Sequence, residues 1–388
     1  MLNKFFIVFL GFFLFSCKES KEPVYTNTGE ITDTLRFDTK YFSSWNYVGS
    51  YYDKKYNKTL IYFGEPKTEK VLKIFDDTGN ELYKINLKKG LDTLDYDIKG
   101  LSVFSADTIV LCSFYRNKIA VINSKGEVLK MVDFTNQAQE NNSIYELHPT
   151  VNNSGAMIIN EKSLLLASGC IDMVNQPKND FIKGIKDFYI NKYNSFYFFK
   201  IDNIFDENTE GVFKVDGLYK NWYNKSYMFV EPNSYRVIGD KIFVFSIYSN
   251  EFLVFDVENF EVIKKVQLIS DYTTIGTNPI ELLEQNIMNL QELVNQKARS
   301  VGYVEDILYD KKSKRYFITL NFENKEKYRS HRFSVIILDE NFKKINEIPF
   351  TDGKLKSNAP ISTDKGIMFK ANIEEDEDSP REFYILNF

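Results

Sequence analysis

The chain has 388 residues and a net charge of −5 at pH 7, with acidic and basic side chains mixed along its length. No basic patch stands out, which argues against nucleic acid as a partner. The length suits two average domains or one all-β propeller or barrel. Only two histidines and three cysteines are present, so neither a metal site nor a cofactor is expected.

The first seventeen residues have the pattern of an export signal. Lys4 precedes an apolar run from Phe5 to Phe15, and Ser16 and Cys17 follow. The run is too short for a convincing membrane span, and a charged segment comes directly after it. We therefore predict a signal peptide over residues 1–16. A plain signal peptide that is cleaved elsewhere is the alternative.

This start resembles the bacterial lipoprotein signal, in which the cysteine becomes the acylated first residue of the mature chain. The resemblance implies lipidation of Cys17, attachment to the membrane through that lipid, and a tether over residues 17–27. Lys18 and Glu19 resemble the surface-export signal of Bacteroidota lipoproteins. The expected location is the outer membrane, with the protein exposed on the cell surface or facing the periplasm.

The two remaining cysteines lie in apolar, strand-like segments. Cys112 falls in the run from Ile109 to Phe114, and Cys170 falls in the run from Leu164 to Ile171. Buried free thiols are the usual outcome in such segments. A disulfide between them is the alternative in an exported protein.

Internal repetition is the strongest signal for the fold. A strand, a tight turn, a second strand, a polar turn and a third strand follow one another from Ser113 to Leu129, and the same order recurs from Ser246. Two further copies of the polar turn stand at Ile74–Gly79 and Ile336–Phe342. Short strands repeated at such spacing are typical of propeller blades.

Counting four strands to each blade predicts an all-β, six-bladed β-propeller over residues 28–388. The last segment supplies only three strands, and the segment from Glu30 to Phe37 can supply the fourth, which would close the ring. Seven blades are the alternative, because the long region 181–230 has room for another blade. The predicted blades are 44–87, 100–134, 148–219, 234–268, 302–350 and 358–388.

One insertion, near residues 279–299, has a helical pattern. Pro279 suits the first position of a helix, and apolar residues follow at helical spacing. Packing against the rim of the propeller is the expected role of this stripe, and a groove for a partner helix is the alternative. The stripe consists of Leu283, Ile287, Leu290 and Val294.

The connections between predicted strands differ strongly in length. Turns from the first to the second strand and from the third to the fourth are short, whereas the other connections contain nearly every insertion. The two sets emerge on opposite faces of a propeller, and long loops on a rigid scaffold are the usual place for binding sites. The long connections are 136–147, 172–195, 221–233, 270–301, 323–332 and 374–381.

Six residues of the long-loop face are the predicted ligand-binding residues. They combine tyrosines with arginines and the two histidines, and arginine can bind a carboxylate with two hydrogen bonds. Ordinary polar loops are the alternative interpretation. No catalytic residues are assigned. The predicted ligand-binding residues are Tyr115, Arg116, His148, Tyr248, Arg329 and His331.

Two classes of function fit these features. The first is a lipid-anchored binding module for a glycan, a peptide or a partner protein. The second is a hydrolase or lyase that acts on an extracellular polymer, with tyrosine, arginine and a histidine as acid and base. The scarcity of histidine and the lack of a G-x-S-x-G motif favour the binding module.

With its lipoprotein start and short-stranded units, the chain resembles the uncharacterised β-propeller lipoproteins of Bacteroidota. The resemblance implies a β-propeller fold and an outer-membrane location. It carries no catalytic residues to this sequence, since one fold serves enzymes and binding proteins alike.

Overall fold

The structure is a computed structural model, and almost all of its described regular structure is β-sheet. It describes the connected strands and most of the short turns, but not the first 29 residues or most of the long connections. The described residues are 30–39, 47–66, 69–95, 98–113, 118–133, 144–147, 156–158, 163–171, 196–205, 210–215, 234–245, 249–276, 292, 296, 300–323, 332–373 and 380–388.

Four segments of the chain each form a four-stranded antiparallel sheet in which neighbouring strands are consecutive in sequence. The first sheet contains β2 (Tyr47–Asp53), β3 (Lys58–Glu65), β4 (Val71–Phe75) and β5 (Glu81–Asn86). The second contains β6 (Ile98–Ser105), β7 (Thr108–Ser113), β8 (Lys118–Ile122) and β9 (Val128–Asp133). The fourth contains β15 (Ser234–Ile238), β16 (Lys241–Phe245), β17 (Glu251–Asp256) and β18 (Val262–Gln267). The fifth contains β19 (Tyr303–Asp310), β20 (Arg315–Asn321), β21 (Phe333–Leu338) and β22 (Lys344–Phe350).

A further four-stranded sheet, the closing sheet, joins the two ends of the described chain. Its strands are β23 (Ile361–Thr363), β24 (Gly366–Lys370), β25 (Arg381–Leu386) and β1 (Ile31–Phe37). The strand β1 pairs antiparallel with β25 along its whole length. This confirms that the segment from Glu30 to Phe37 supplies the missing strand.

Aromatic packing reinforces this closure. The ring of Phe37 lies 4.9 Å from the ring of Phe63, 5.2 Å from Phe75 and 5.5 Å from Phe383, measured between centroids. The four side chains come from β1, β3, β4 and β25, and all are buried. The pairs of Phe37 with Phe75 and with Phe383 are edge-to-face, and such pairs add about 0.5–1.5 kcal/mol each beyond the area they bury.

The third sheet is irregular and has five strands. Its strand β12 pairs along one half with β10, from Ile144↔Ile171 to Leu147↔Ser168. The other half of β12 pairs with β11, from Ala156↔Leu166 to Ile158↔Leu164. The strands are β10 (Ile144–Leu147), β11 (Ala156–Ile158), β12 (Leu164–Ile171), β13 (Phe196–Ile201) and β14 (Glu210–Val215).

The prediction of a six-bladed propeller, and its seven-bladed alternative, are therefore wrong. Five sheets are regular four-stranded blades, whereas the third sheet has five strands and an inner edge that is broken into β10 and β11. The chain is therefore not a series of equivalent four-stranded blades. The inner strands nevertheless form a ring, because β11 contacts β6 and β15, β19 contacts β15 and β23, and β2 contacts β6 and β23.

The repeated polar turn found in the sequence connects the third and fourth strands of four sheets. A side-chain oxygen of Asp76, Asn123 or Asp339 accepts hydrogen bonds of 2.8–3.0 Å from the N–H groups two and four residues later. Asp256 makes the same kind of turn. Such side-chain bonds explain why aspartate and asparagine stand there. The residue with positive φ in each turn is Gly79, Gly126, Phe260 or Phe342.

One helix has described bounds, α1 (Lys88–Thr93), between the first and second sheets. Its Leu91 is buried in the core that these two sheets share. The sequence analysis did not predict this helix. The four apolar residues of the predicted helical stripe near residues 279–299 lie outside the described residues. Glu292 and Gln296, which are described, are helical. No helix within the described residues is long and apolar enough to cross a membrane.

Cys112 lies in β7 as a buried free thiol, which confirms the prediction for this residue and excludes a bond to Cys170. Burial raises the pKa of the Cys112 thiol. A thiol that stays protonated in an apolar interior is a poor nucleophile. Cys112 therefore belongs to the core rather than to a reactive site.

Candidate functional site

A cavity of about 1250 Å³ opens on the face of the propeller that carries the short turns. Its walls come from residues 50–56 of β2 and the following turn, residues 102–108 of β6 and the following turn, Arg236 of β15, and Lys311 of the turn after β19. Because antiparallel strands alternate in direction, turns after first strands and turns after third strands share one face. The cavity thus lies at the end of the ring of inner strands.

Five tyrosines give the cavity its chemical character. Three come from the end of β2 and the turn after it, where the sequence is Tyr-Tyr-Asp-Lys-Lys-Tyr over residues 51–56. Phenol rings present both an apolar surface and a hydroxyl group that donates and accepts hydrogen bonds. The five tyrosines are Tyr51, Tyr52, Tyr56, Tyr62 and Tyr83.

Two of these tyrosines are joined directly. The hydroxyl oxygens of Tyr51 and Tyr83 lie 2.8 Å apart, and Tyr51 also hydrogen bonds to Asp53. Burial raises the pKa of Tyr51, and the hydrogen bond to Tyr83 adds to that rise. Burial likewise raises the pKa of Tyr83. Both phenols therefore stay protonated near neutral pH and act as hydrogen-bonding groups rather than as bases.

The ring of Tyr62 reaches the cavity across the neighbouring strand. Gly49 is its partner in the register of β2 and β3, and a Cβ at Gly49 would meet the Tyr62 ring carbon Cζ at 2.6 Å. Glycine thus makes room for the phenol. Burial raises the pKa of Tyr62 to about 12, although the positive charge of Arg236 and a hydrogen bond with the backbone of Val103 oppose that rise.

Arg236 is held rigidly at the cavity wall. Its Nε donates to Asp306 Oδ1 at 3.1 Å, and one terminal nitrogen donates to Asp306 Oδ2 at 2.6 Å. Asp306 is buried, with a side chain only 1% exposed, whereas the Arg236 side chain is 19% exposed. This ion pair uses the edge of the planar guanidinium that is formed by Nε and one terminal nitrogen. The edge formed by the two terminal nitrogens, the end edge, has N–H groups that can bind another partner.

Aromatic and basic side chains surround the mouth. Tyr52, Tyr56 and Phe205 line the cavity and are among the most exposed aromatic residues of the described chain. The ammonium group of Lys55 lies 5.4 Å from the centre of the Tyr56 ring, in a cation–π arrangement. Lys311 also lines the cavity. The mouth therefore offers flat apolar rings beside positive charge.

The two acidic residues of the cavity wall are engaged in holding turns. Asp53 accepts hydrogen bonds from the backbone N–H groups of Lys55 and Tyr56 at 2.8 and 3.1 Å. Asp107 accepts one from the hydroxyl of Ser124 at 2.5 Å. These carboxylates shape the β2–β3 and β6–β7 turns. Among the described residues, no group of three or more His, Cys, Asp or Glu side chains could hold a metal ion.

All six predicted ligand-binding residues lie outside the described residues, and so does the predicted lipidation site Cys17. Their assignment stays a prediction. The described cavity lies instead on the short-turn face, opposite the face on which the sequence analysis placed the site. The predicted residues are Tyr115, Arg116, His148, Tyr248, Arg329 and His331.

Sequence reasoning passed over the cavity residues because they stand in strands and short turns, not in long insertions. The dense run of tyrosine and lysine over residues 51–56 was the available signal. Arg236 carried no such signal, because its role depends on Asp306, which lies seventy residues further along the chain.

Neither a family model nor a curated protein matches the sequence. Several solved structures, however, match the fold of the chain. A crystal structure of a member of the DUF4221 family from Bacteroides vulgatus matches with a TM-score of 0.64 and 17% identity, and the match covers 92% of this chain and 97% of that chain.

A second solved structure is that of a protein from Bacteroides fragilis, which is described as exported. It matches with a TM-score of 0.50 and 12% identity, and the match covers 92% of this chain and 95% of that chain. At these identities the similarity concerns the fold alone. The chain therefore shares its β-propeller fold with Bacteroides proteins, in agreement with the family resemblance seen in the sequence.

Proposed function

We propose that this protein is a glycan-binding module that holds its ligand in the cavity of the short-turn face. The observation that carries the proposal is the lining of this cavity by five tyrosines, with exposed rings at its mouth. Aromatic rings stack on the apolar faces of sugars, and hydroxyl groups deeper in the wall hydrogen bond to sugar hydroxyls. The raised pKa values of Tyr51 and Tyr62 favour binding over acid–base catalysis.

The proposal includes the location. Residues 1–16 are a signal peptide, Cys17 carries the lipid, residues 17–27 are a tether, and residues 28–388 form the propeller, held at the outer membrane. The apolar run before Cys17 supports this organisation, and so does the fold shared with a Bacteroides protein described as exported. Labelling cells with a radioactive fatty acid tests the anchor: the wild-type chain takes up label and Cys17→Ser does not. Equal labelling of both chains would overturn the anchor.

Binding is tested on the full-length chain in detergent, by calorimetry against a panel of neutral and acidic plant and bacterial oligosaccharides. Tyr52→Ala should weaken binding of any ligand found by about tenfold, as removal of one stacking ring would. Tyr272→Ala is the matched control, because both rings are 51% exposed and Tyr272 does not line the cavity.

Two results of the oligosaccharide panel would overturn this proposal. One is the absence of binding at millimolar concentration across the panel. The other is cleavage of a bound oligosaccharide, seen as new reducing ends, which would make the protein a hydrolase or lyase. Equal losses in Tyr52→Ala and Tyr272→Ala would place the site elsewhere.

A further inference from the structure

We propose that the ligand of this cavity is an acidic glycan whose carboxylate binds the end edge of the Arg236 guanidinium. This inference rests on the proposed function and names the class of sugar, with uronic acids as the defining unit. It follows from how Arg236 is held and from the balance of charge around it.

The hydrogen bonds of Arg236 fix the orientation of the group. Nε and one terminal nitrogen are bound to Asp306, which is itself anchored by a 2.8 Å hydrogen bond from the backbone N–H of Ile307 to Oδ1. The guanidinium is therefore immobilised before any ligand arrives. A planar guanidinium end edge matches the two oxygens of a carboxylate, and an immobilised donor loses little entropy on binding.

The charges of the cavity favour one negative group. Asp306 neutralises Arg236, and Lys55 and Lys311 line the cavity with Asp53 and Asp107. Lys311 reaches the cavity from the turn between β19 and β20. The two aspartates are engaged in turn hydrogen bonds. With these carboxylates engaged, the ammonium groups of Lys55 and Lys311 and the end edge of Arg236 suit an acidic sugar such as a uronate better than a neutral one.

The tyrosines complete the site for a sugar acid. The hydroxyl of Tyr62 lies within electrostatic range of Arg236 and remains protonated. It can donate to a carboxylate or to a neighbouring sugar hydroxyl. The exposed rings of Tyr52 and Tyr56 at the mouth suit the adjoining units of a chain.

The test compares a trigalacturonate, its fully methyl-esterified form and a sulfated neutral trisaccharide, by calorimetry with the full-length chain at low salt. The acid should bind at least about tenfold more tightly than the ester, because full esterification removes the carboxylate that makes the charge-assisted, two-point contact, together with the two other acid groups. Arg236→Lys keeps the charge beside Asp306 but lacks the planar fork, and it should remove this preference.

Lys311→Gln is the second variant, and Lys312→Gln is its matched control, because both lysines lie in the same turn and only Lys311 lines the cavity. Lys311→Gln should weaken binding of the acid about threefold at low salt and less at high salt. Lys312→Gln should leave binding unchanged. This pair decides the outcome if Arg236→Lys proves unstable.

Equal affinity for the acid and the ester would overturn this inference and leave the glycan-binding function standing. Equal affinity for the sulfated trisaccharide and for the acid would overturn the claim that the site selects a carboxylate. If none of these sugars binds and the wider panel also fails, both proposals are wrong. A preference for the acid that survives in Arg236→Lys and Lys311→Gln would place the carboxylate away from this cavity.

Discussion

Arg236 and Asp306 join the inner strands of two neighbouring sheets through a paired hydrogen bond. Arg236 lies on β15 and Asp306 on β19, and the two strands are in contact. The carboxylate is almost completely buried, and the guanidinium pairs with it at 2.6 Å. The same pair thus holds two sheets together and presents a fixed donor edge to the cavity.

Removal of Arg236 should be costly for stability. Arg236→Ala removes the two-point cationic partner of the buried Asp306 carboxylate, and we expect the free energy of unfolding to fall by about 3–5 kcal/mol. The double variant Arg236→Met/Asp306→Leu should lose less, because no buried charge remains. Urea unfolding measures both. A loss below about 1 kcal/mol in Arg236→Ala would show that the pair is solvated.

Gly49 and Tyr62 should be coupled. Gly49→Ala places a Cβ against the Tyr62 ring, and we expect a destabilisation of about 1–3 kcal/mol from overpacking. In a Tyr62→Ala background the same change should cost almost nothing, because the ring is gone. Urea unfolding of the four chains gives the coupling energy. Equal costs in the two backgrounds would contradict the close approach of this ring.

The raised pKa of Tyr62 makes stability depend on alkaline pH. Up to pH 10 the phenol is protonated in both the folded and the unfolded chain. Between pH 10 and about 12 the unfolded chain loses this proton while the folded chain keeps it, so stability falls as pH rises. The loss in the free energy of unfolding that Tyr62 causes reaches about 3 kcal/mol near pH 12. Tyr62→Phe should therefore lose less stability than the wild type over this range, and parallel losses would contradict the assignment.

Cys112 should be protected from thiol reagents in the folded chain. In a Cys17→Ser/Cys170→Ser variant it is the single thiol, and burial keeps it protonated and inaccessible. Reaction with a chromogenic disulfide should be absent over hours in buffer and complete within minutes in 8 M urea, about the concentration that unfolds most domains of this kind. Rapid labelling without urea would contradict its burial.

The sequence predicts the regular part of this fold well. The turns at Asp76, Asn123, Asp256 and Asp339 are encoded locally, since an Asx side chain closes each turn through bonds to residues two to four positions away. The closing strand from Glu30 to Phe37 was recognisable for a different reason, namely that the last blade lacked a strand. Both inferences depend on short-range patterns or on a count of strands.

The third sheet was not predictable in the same way. Its inner edge is divided between β10 and β11, which pair with separate halves of β12, and nothing in the sequence repeat indicates that division. The candidate site was missed because loop length was used as a guide. Its cavity is built from first strands, and contacts such as Arg236 with Asp306 or Tyr51 with Tyr83 join residues that are distant in sequence.

Hydrogen–deuterium exchange with and without a bound oligosaccharide compares the two faces directly. If the ligand lies in the cavity, peptides that cover residues 50–56 and 102–108 should exchange more slowly when trigalacturonate is bound. Peptides that contain Tyr115, His148 and His331 should be unchanged. Protection confined to those three peptides would contradict a binding site in the cavity and would indicate a site on the long-loop face.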